Sequence, residues 1–462
     1  MKNYFHSVRL EPRLCQGCVT CAKRCPTEAI RVRGGKAQII EERCIDCGEC
    51  IRSCPAHAKT AVTDSISDLK AYKYNIALPA PALYSQFSLE YTAEQVLCAF
   101  RLIGFDEVFE VAHGAEIVTL GIREYLKRTD IPRPAISAAC PTTVRLIQVK
   151  FPELIENLIP IDAPVEVAAR VIRARAAYAL GMDPAAIGIW FITPCPAKMT
   201  AIQQPLGSEK SNITGAIDIS KIYGTLLHAV KKVKDENPMC KRASWAGIGW
   251  ALSGGEAAAI EAISTKLPAH IVVDGIRNVN ELLEQITMGK IKGIQYVEAL
   301  ACAGGCIGGA LMVENRFVAE HRMKTRLSNM KEDDSANSSF PREYYYEEDL
   351  ALDEWKAIEP RPILRLDSDI YKAMEKIEII DKTLEKLPGL DCGSCGSPTC
   401  KALAEDIAQG LATETDCVFK LRERVRDLAK EMVELAEKMP PSLEKKIMIN
   451  RMMNDDNSAK GN

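Results

Sequence analysis

Cysteine constrains this sequence most: 18 of its 462 residues are cysteines, and most fall in tight runs. In a reducing compartment such thiols do not close a disulfide framework, so they read as metal ligands. Residues 15–25 (CQGCVTCAKRC) and 44–54 (CIDCGECIRSC) both fit C-x2-C-x2-C-x3-C, and Pro26 and Pro55 follow them. That run holds cubane iron–sulfur clusters, because soft anionic sulfur donors delocalise charge from iron, and its fourth cysteine ligates the other cluster. The spacing predicts one cluster on Cys15, Cys18, Cys21 and Cys54 and a second on Cys44, Cys47, Cys50 and Cys25. Zinc is the competing metal, and two complete copies with trailing prolines weigh against it. Between the runs, AIRVRGGKAQII predicts two short strands about a Gly-Gly turn. Two clusters in one small module mean electron transfer.

The rest of the composition excludes more than it assigns. Lys+Arg 59 against Asp+Glu 62 leaves −3, so no bulk field recruits nucleic acid or an anionic membrane. No apolar run approaches the roughly 18 residues of a membrane span. The opening MKNYFHSVRLEPRLC lacks the apolar core of a secretory signal, so the expected location is cytoplasmic.

From about residue 73 the pattern alternates strands and helices, which predicts an α/β fold with parallel sheets covered by helices. YNIALPAPAL, PAISAA, IGIWFIT, AHIVVDGI and IKGIQYVEAL are the strand candidates. Thr92 with Gln95 forms a capping box opening the helix AEQVLCAFRLIG, and VEVAARVIRARAAYALG is a second helix. Cys140, Cys195 and Cys302 each stand just after a strand candidate. Ligand sites of α/β folds form at the carboxyl ends of strands, so these three remote thiols can converge there. Cys98 and Cys240 stand alone in apolar stretches and read as small buried hydrophobes.

Three segments carry a resemblance: SAACPTTVRLIQVKFPEL (137–154), TPCPAK (193–198) and EALACAGGCIGGA (298–310). In order and spacing they resemble the signature segments of [FeFe]-hydrogenases. The resemblance implies an H-cluster, a cubane bridged by one thiolate to a diiron unit carrying CO, cyanide and an azadithiolate. By position, Cys140, Cys195, Cys302 and Cys306 would bind the cubane, with Cys306 the bridge. Lys198, three residues after Cys195, is placed to donate to a cyanide nitrogen as a point charge. Gly304 and Gly305 let backbone approach a bulky cluster without a Cβ clash. GIGWALSGG (247–255) fails as a dinucleotide fingerprint, since Leu252 stands where Gly is needed. Gly254 and Gly255 resemble a family stretch facing the diiron unit.

The departures from the family pattern bear on activity. Catalytic members carry a proton-relaying Cys directly before the first cubane ligand; here that residue is Ala139. The relay's later Glu, Ser and second Glu fall, by ungapped extension, on Ile122, Ile159 and Tyr125. Thr143, Thr193, Leu300 and Ala201 replace a family Trp, Met, Met and Glu. Positioned acid–base groups typically supply about 10²–10⁴-fold in rate, so a site without its relay should turn over slowly. These changes resemble the sensory subgroup of [FeFe]-hydrogenases. The competing readings are a catalytic subunit of an electron-transfer complex, whose mark would be a replacement relay beside Ala139, and a hydrogenase-like iron–sulfur assembly protein with no diiron unit.

Residues 319–350 are polar and read as an insertion or linker. LPGLDCGSCGSPTC with Cys417 gives a third set, Cys392, Cys395, Cys400 and Cys417, resembling a compact cubane domain of anaerobic electron-transfer proteins. With the H-cluster, the expected cofactors are therefore three further [4Fe-4S] clusters. After Cys417, apolar residues at Val418, Leu421, Val425, Leu428, Met432, Leu435 and Met439 form a heptad seam closed by Pro440 and Pro441. Valine at a and leucine at d favour a parallel two-stranded coil, hence a homodimer or a partner-docking helix. The expected domains are 1–72 (ferredoxin-like), 73–365 (H-cluster), 366–417 (C-terminal cluster), 418–439 (heptad helix) and 440–462 (tail). No kinase motif is present, so a sensory output must pass to a signalling partner such as a kinase or phosphatase, and electrons to a ferredoxin-like redox partner. H2 and protons are the expected substrates.

Overall fold

The computed structural model describes residues 4–233, 242–264, 267–334, 355–361, 366–367 and 369–438. They fall into two compact units, Met1–Leu364 and Arg365–Asn462.

The first unit opens with β1 (Val8–Leu10), β2 (Ile30–Arg33), β3 (Lys36–Ile39) and β4 (Lys59–Ala61). β1 pairs antiparallel with β4, which ties the ends of the ferredoxin-like segment together, and β2 pairs with β3. The β2–β3 hairpin turns on Gly34 and Gly35, both with positive φ, the backbone a two-residue hairpin loop requires. Short helices at Thr20–Arg24 and Glu49–Arg52 carry Cys21 and Cys50 inward to a small core with Val8, Ala22 and Ile30.

The α/β part continues with β5 (Tyr74–Pro79), β6 (Glu107–Val108), β7 (Ala135–Ile136), β8 (Ile187–Thr193), β9 (Gly215–Asp218), β10 (His270–Asp274) and β11 (Tyr296–Leu300). They make two parallel sheets, a four-stranded one ordered β6-β5-β8-β9 and a three-stranded one ordered β10-β11-β7. β8 is buried along its whole length, as an unbroken apolar run in a helix-covered parallel sheet must be. The capping box at Thr92 and Gln95 is present and opens the helix Ala93–Leu102. The helix Pro164–Leu180 stops at Gly181 in the left-handed region.

The topology brings the motif cysteines together. Cys140 and Cys302 follow β7 and β11 of the three-stranded sheet, and Cys195 follows β8 of the four-stranded sheet. Cys140 and Cys195 are also the N-caps of helices starting at Pro141 and Pro196.

One expectation is corrected. The polar stretch from residue 319 begins as part of the helix Arg316–Asp334, which buries Ala319, Met323 and Met330 on one stripe, so a sparse apolar face sufficed to fold it onto the domain. The remainder, 335–350, lies outside the described residues, as do Cys240, Met439 and the tail. Cys98 is half-buried on the helix Ala93–Leu102.

In the second unit the helices Ile370–Lys386 and Cys400–Ala408 pack around Ile380, Leu387, Leu403 and Ala404. A final helix, Val418–Glu437, follows Cys417 directly. Among the described residues no helix is long and apolar enough to cross a membrane.

Candidate functional site

In the ferredoxin-like segment Cys25, Cys44, Cys47 and Cys50 line one small cavity, the crossed set that the two runs imply. Cys15, Cys18 and Cys54 are the thiols whose charge bears on Cys21. Burial pushes the Cys44, Cys47 and Cys50 thiols well up, so these sulfurs carry charge only when a metal takes the place of their protons.

The central site is larger. Cys140, Cys195, Cys302 and Cys306 line one mostly apolar cavity, together with Ala139 and Lys198. Burial first, and the neighbouring thiols second, push Cys195 up to about 12 and Cys306 higher still. The Lys198 ammonium donates to the Ala139 carbonyl oxygen at 3.1 Å, at the edge of this cavity and of a second one that Ala201 and Glu166 help to line. Four half-buried thiols converging on one apolar cavity, with a cation at its wall, fit a thiolate-held cluster with a further group attached.

Glycine plays a different part here from the one expected. Gly305 lines the cavity with φ +94°, but a Cβ there would meet Ala251 O and Ser253 N, both at 2.6 Å. The absent side chain makes room for neighbouring backbone, and the left-handed turn aims Cys306 inward. Gly304, Gly254 and Gly255 do not line the cavity; Gly254 instead donates its N–H to Glu298 at 2.7 Å.

The family model described as iron only hydrogenase large subunit, C-terminal domain, matches residues 73–310, just over half of the chain. The chain belongs to this [FeFe]-hydrogenase family. A 4Fe-4S dicluster model matches residues 7–55 and an Fe-S cluster model residues 387–419, so the hydrogenase domain lies between iron–sulfur modules. The periplasmic [Fe] hydrogenase large subunit of Nitratidesulfovibrio vulgaris is 26% identical over 384 residues, covering 70% of this chain and 90% of that protein. Iron hydrogenase 1 of Clostridium pasteurianum is 25% identical over 267 residues, covering 48% of this chain and 46% of that protein. Among solved structures, an [FeFe]-hydrogenase variant of Chlamydomonas reinhardtii is 14% identical with a TM-score of 0.47, covering 64% of this chain and 98% of that one.

The positions expected for the family's relay lie in apolar surroundings. Ile122, Tyr125 and Ile159 are buried in one apolar cluster, and Ala139 packs against it. Thr143 is fully buried and donates to the Ala299 carbonyl at 3.0 Å; Thr193 donates to the Cys195 carbonyl at 2.9 Å and accepts from the Cys195 N–H at 3.2 Å. Leu300 contributes to the apolar lining.

Polar groups that the sequence reading missed sit beside this cluster. The Ser137 hydroxyl donates to Glu256 at 2.8 Å and accepts from the Ala139 N–H at 3.3 Å. Glu298 accepts from the Gly254 and Ala257 N–H groups at 2.7 and 2.9 Å. Burial pushes both carboxyl groups above the ordinary range; the Glu298 charge adds to the rise at Glu256, and that of half-buried Asp274 to the rise at Glu298. The buried Tyr296 hydroxyl faces Glu256, and its interaction with that carboxylate partly offsets the rise. An available signal was an acid inside each of two apolar segments, GGEAAAI and YVEALAC.

A second missed residue joins the two cluster sites. Arg52, three residues after Glu49 in the ferredoxin-like segment, donates to the Gly308 carbonyl, and its Nη2 lies 4.0 Å from Cys302 Sγ. Glu49 pairs with it at 3.4 Å.

In the second unit Cys392, Cys395, Cys400 and Cys417 line one small cavity. Asp391, with positive φ, accepts from the Cys400 N–H at 2.6 Å and shapes the loop around it.

Proposed function

We propose that this protein is an H2-interacting hydrogenase of sensory type, catalysing H2 ⇌ 2H⁺ + 2e⁻ slowly and passing its redox state through iron–sulfur clusters to a partner protein. The observation that carries the reading is the apolar contact of Ala139 with the cluster holding Ile122, Tyr125 and Ile159, where a proton would need titratable groups.

Cys140, Cys195, Cys302 and Cys306 would hold a cubane, and Cys306 would bridge to a diiron unit, whose chemistry when bound is heterolytic cleavage of H2. Lys198 supplies a fixed positive charge at the cavity wall, suited to an anionic ligand of that unit. The apolar lining excludes water. Protons pass slowly by Ser137, whose hydroxyl can give its proton to Glu256 only as it takes another, while the hydrogen bond it accepts comes from the non-acidic Ala139 N–H. Glu256, Glu298 and Asp274 continue from there toward solvent, and the raised pKa of the first two suits groups that exchange protons near neutrality. Cys25, Cys44, Cys47 and Cys50 would hold one cluster and Cys15, Cys18, Cys21 and Cys54 an outer one, both of which would supply one-electron transfer, and Arg52 stands between the first set and Cys302. The reduced thiols of all these sites suit the cytoplasm.

The Ser137–Glu256 pair also favours a second reading, a working subunit of an electron-transfer complex, because it stands where a substitute relay would be needed. Turnover separates the two. H2 evolution by the matured protein with an artificial electron donor should lie orders of magnitude below that of relay-bearing hydrogenases; a comparable rate would select the second reading.

A further inference from the structure

The last helix of the second unit, Val418–Glu437, buries no residue of its own, and its seam is open: Leu421, Val425, Leu428, Met432 and Leu435 are between 41% and 70% exposed. A helix of 20 residues is about 30 Å long, and an uninterrupted apolar seam of that length is costly in water. Its charges identify what covers it. Residues 418–427 hold four basic and two acidic side chains, Lys420, Arg422, Arg424 and Arg426 against Glu423 and Asp427; residues 428–437 hold Lys430 against Glu431, Glu434 and Glu437. The first half is therefore +2 and the second −2, the reverse of what a helix dipole favours, so the isolated helix is electrostatically disfavoured.

We propose that this helix pairs antiparallel with the same helix of a second copy of the chain. Aligned about its midpoint, each basic half lies against an acidic half. Seam residues then meet as a against d across the pair: Leu421 with Met432, Val425 with Leu428, and Val418 with Leu435, each layer occurring twice by symmetry. Arg424 and Glu431 occupy g positions, which face each other between antiparallel helices, so two Arg424–Glu431 contacts form along one edge of the seam, one on either side of the two-fold axis. Both are exposed, with no ion pair among the described residues. In the parallel register that valine and leucine alone suggest, Arg424 faces Ala429 and Glu431 faces Ala436, and no charge is matched. The charge pattern, absent from that simpler argument, reverses the direction of the pair. The proposal is independent of the hydrogen chemistry.

Sedimentation of the full-length chain under anaerobic conditions tests it. The expected mass is twice 50.9 kDa, falling to one copy in Leu428→Asp, an exposed position whose change leaves the fold intact. Arg424→Glu and Glu431→Arg should each weaken the dimer roughly ten-fold, and the double variant should restore it, since two attractive pairs become repulsive in each single variant and attractive again in the double. A dimer indifferent to the single variants would overturn the antiparallel pairing. A monomer throughout would overturn the second copy as occupant and leave another protein, or the chain's own first unit, to cover the seam. Infrared bands of the matured protein, read on the same samples, report separately on the hydrogenase reading.

Discussion

Arg52 and Cys302 lie 250 positions apart in the chain, yet the guanidinium stands 4.0 Å from the sulfur. A residue of the ferredoxin-like segment thus places a positive charge beside a sulfur lining the central cavity, and its bond to the Gly308 carbonyl holds it there. A cation beside a thiolate favours the reduced cluster. Arg52→Gln should therefore lower the reduction potential of the central cubane. With screening at this partly exposed position, about 1 kcal/mol is expected, roughly 40 mV for one electron. Electron paramagnetic resonance titration of protein loaded with cubanes only should show that shift at the central cluster and a smaller one at the outer ferredoxin cluster.

Glu256→Gln and Glu298→Gln should each lower H2 oxidation at least about ten-fold, toward the lower part of the range for lost acid–base groups. Initial rates with a dye acceptor measure this. Ser137→Ala should act in the same direction, because it removes the hydroxyl that bridges Ala139 N–H to Glu256.

The same carboxyl groups make stability fall with rising pH. Each binds its proton more tightly when folded than the ordinary 4.5 of the unfolded chain, so the folded state holds more protons above pH 4.5. Stability from these groups is full below that value and is lost as pH rises toward their folded pKa values. Thermal melts of the metal-free chain should show Glu256→Gln flattening this decline between pH 4.5 and about 8.

Ala139→Cys should recover little activity, with turnover staying within about ten-fold of the parent. The new thiol would still face the cluster containing Ile122 and Ile159, and a proton cannot hop across aliphatic side chains. Gas-chromatographic H2 evolution is the readout.

Gly305→Ala should destabilise the chain by roughly 1–3 kcal/mol, since it forces a Cβ both into a left-handed backbone and against Ala251 O. Denaturant melts measure the loss. Iron content should fall at the central site, because Cys306 is the next residue.

Much of this was legible in the sequence because it is local. The two C-x2-C-x2-C-x3-C runs, the Gly34-Gly35 hairpin, the Thr92 capping box and the strand-then-cysteine segments at Cys140, Cys195 and Cys302 each have their cause within a dozen residues. What escaped is long-range. Arg52 meets Cys302 only because the Glu49–Arg52 helix docks beside the third motif. Glu256 and Ser137 meet only once the segment after Gly255 folds back beside the end of β7. The helix Arg316–Asp334 was hidden because Ala319, Met323 and Met330, which it buries, are outnumbered by charges, and composition outweighs periodicity in such a stretch. The heptad seam was visible, but its partner's direction depended on charges lying off the seam.

The infrared spectrum of the protein after anaerobic maturation with the diiron precursor tests the central claim most directly. The account predicts CO and cyanide stretches that change on exposure to H2, and their loss in Cys306→Ala while the ferredoxin-like clusters of residues 15–54 persist. A matured protein with its iron–sulfur clusters intact and no such bands would contradict it.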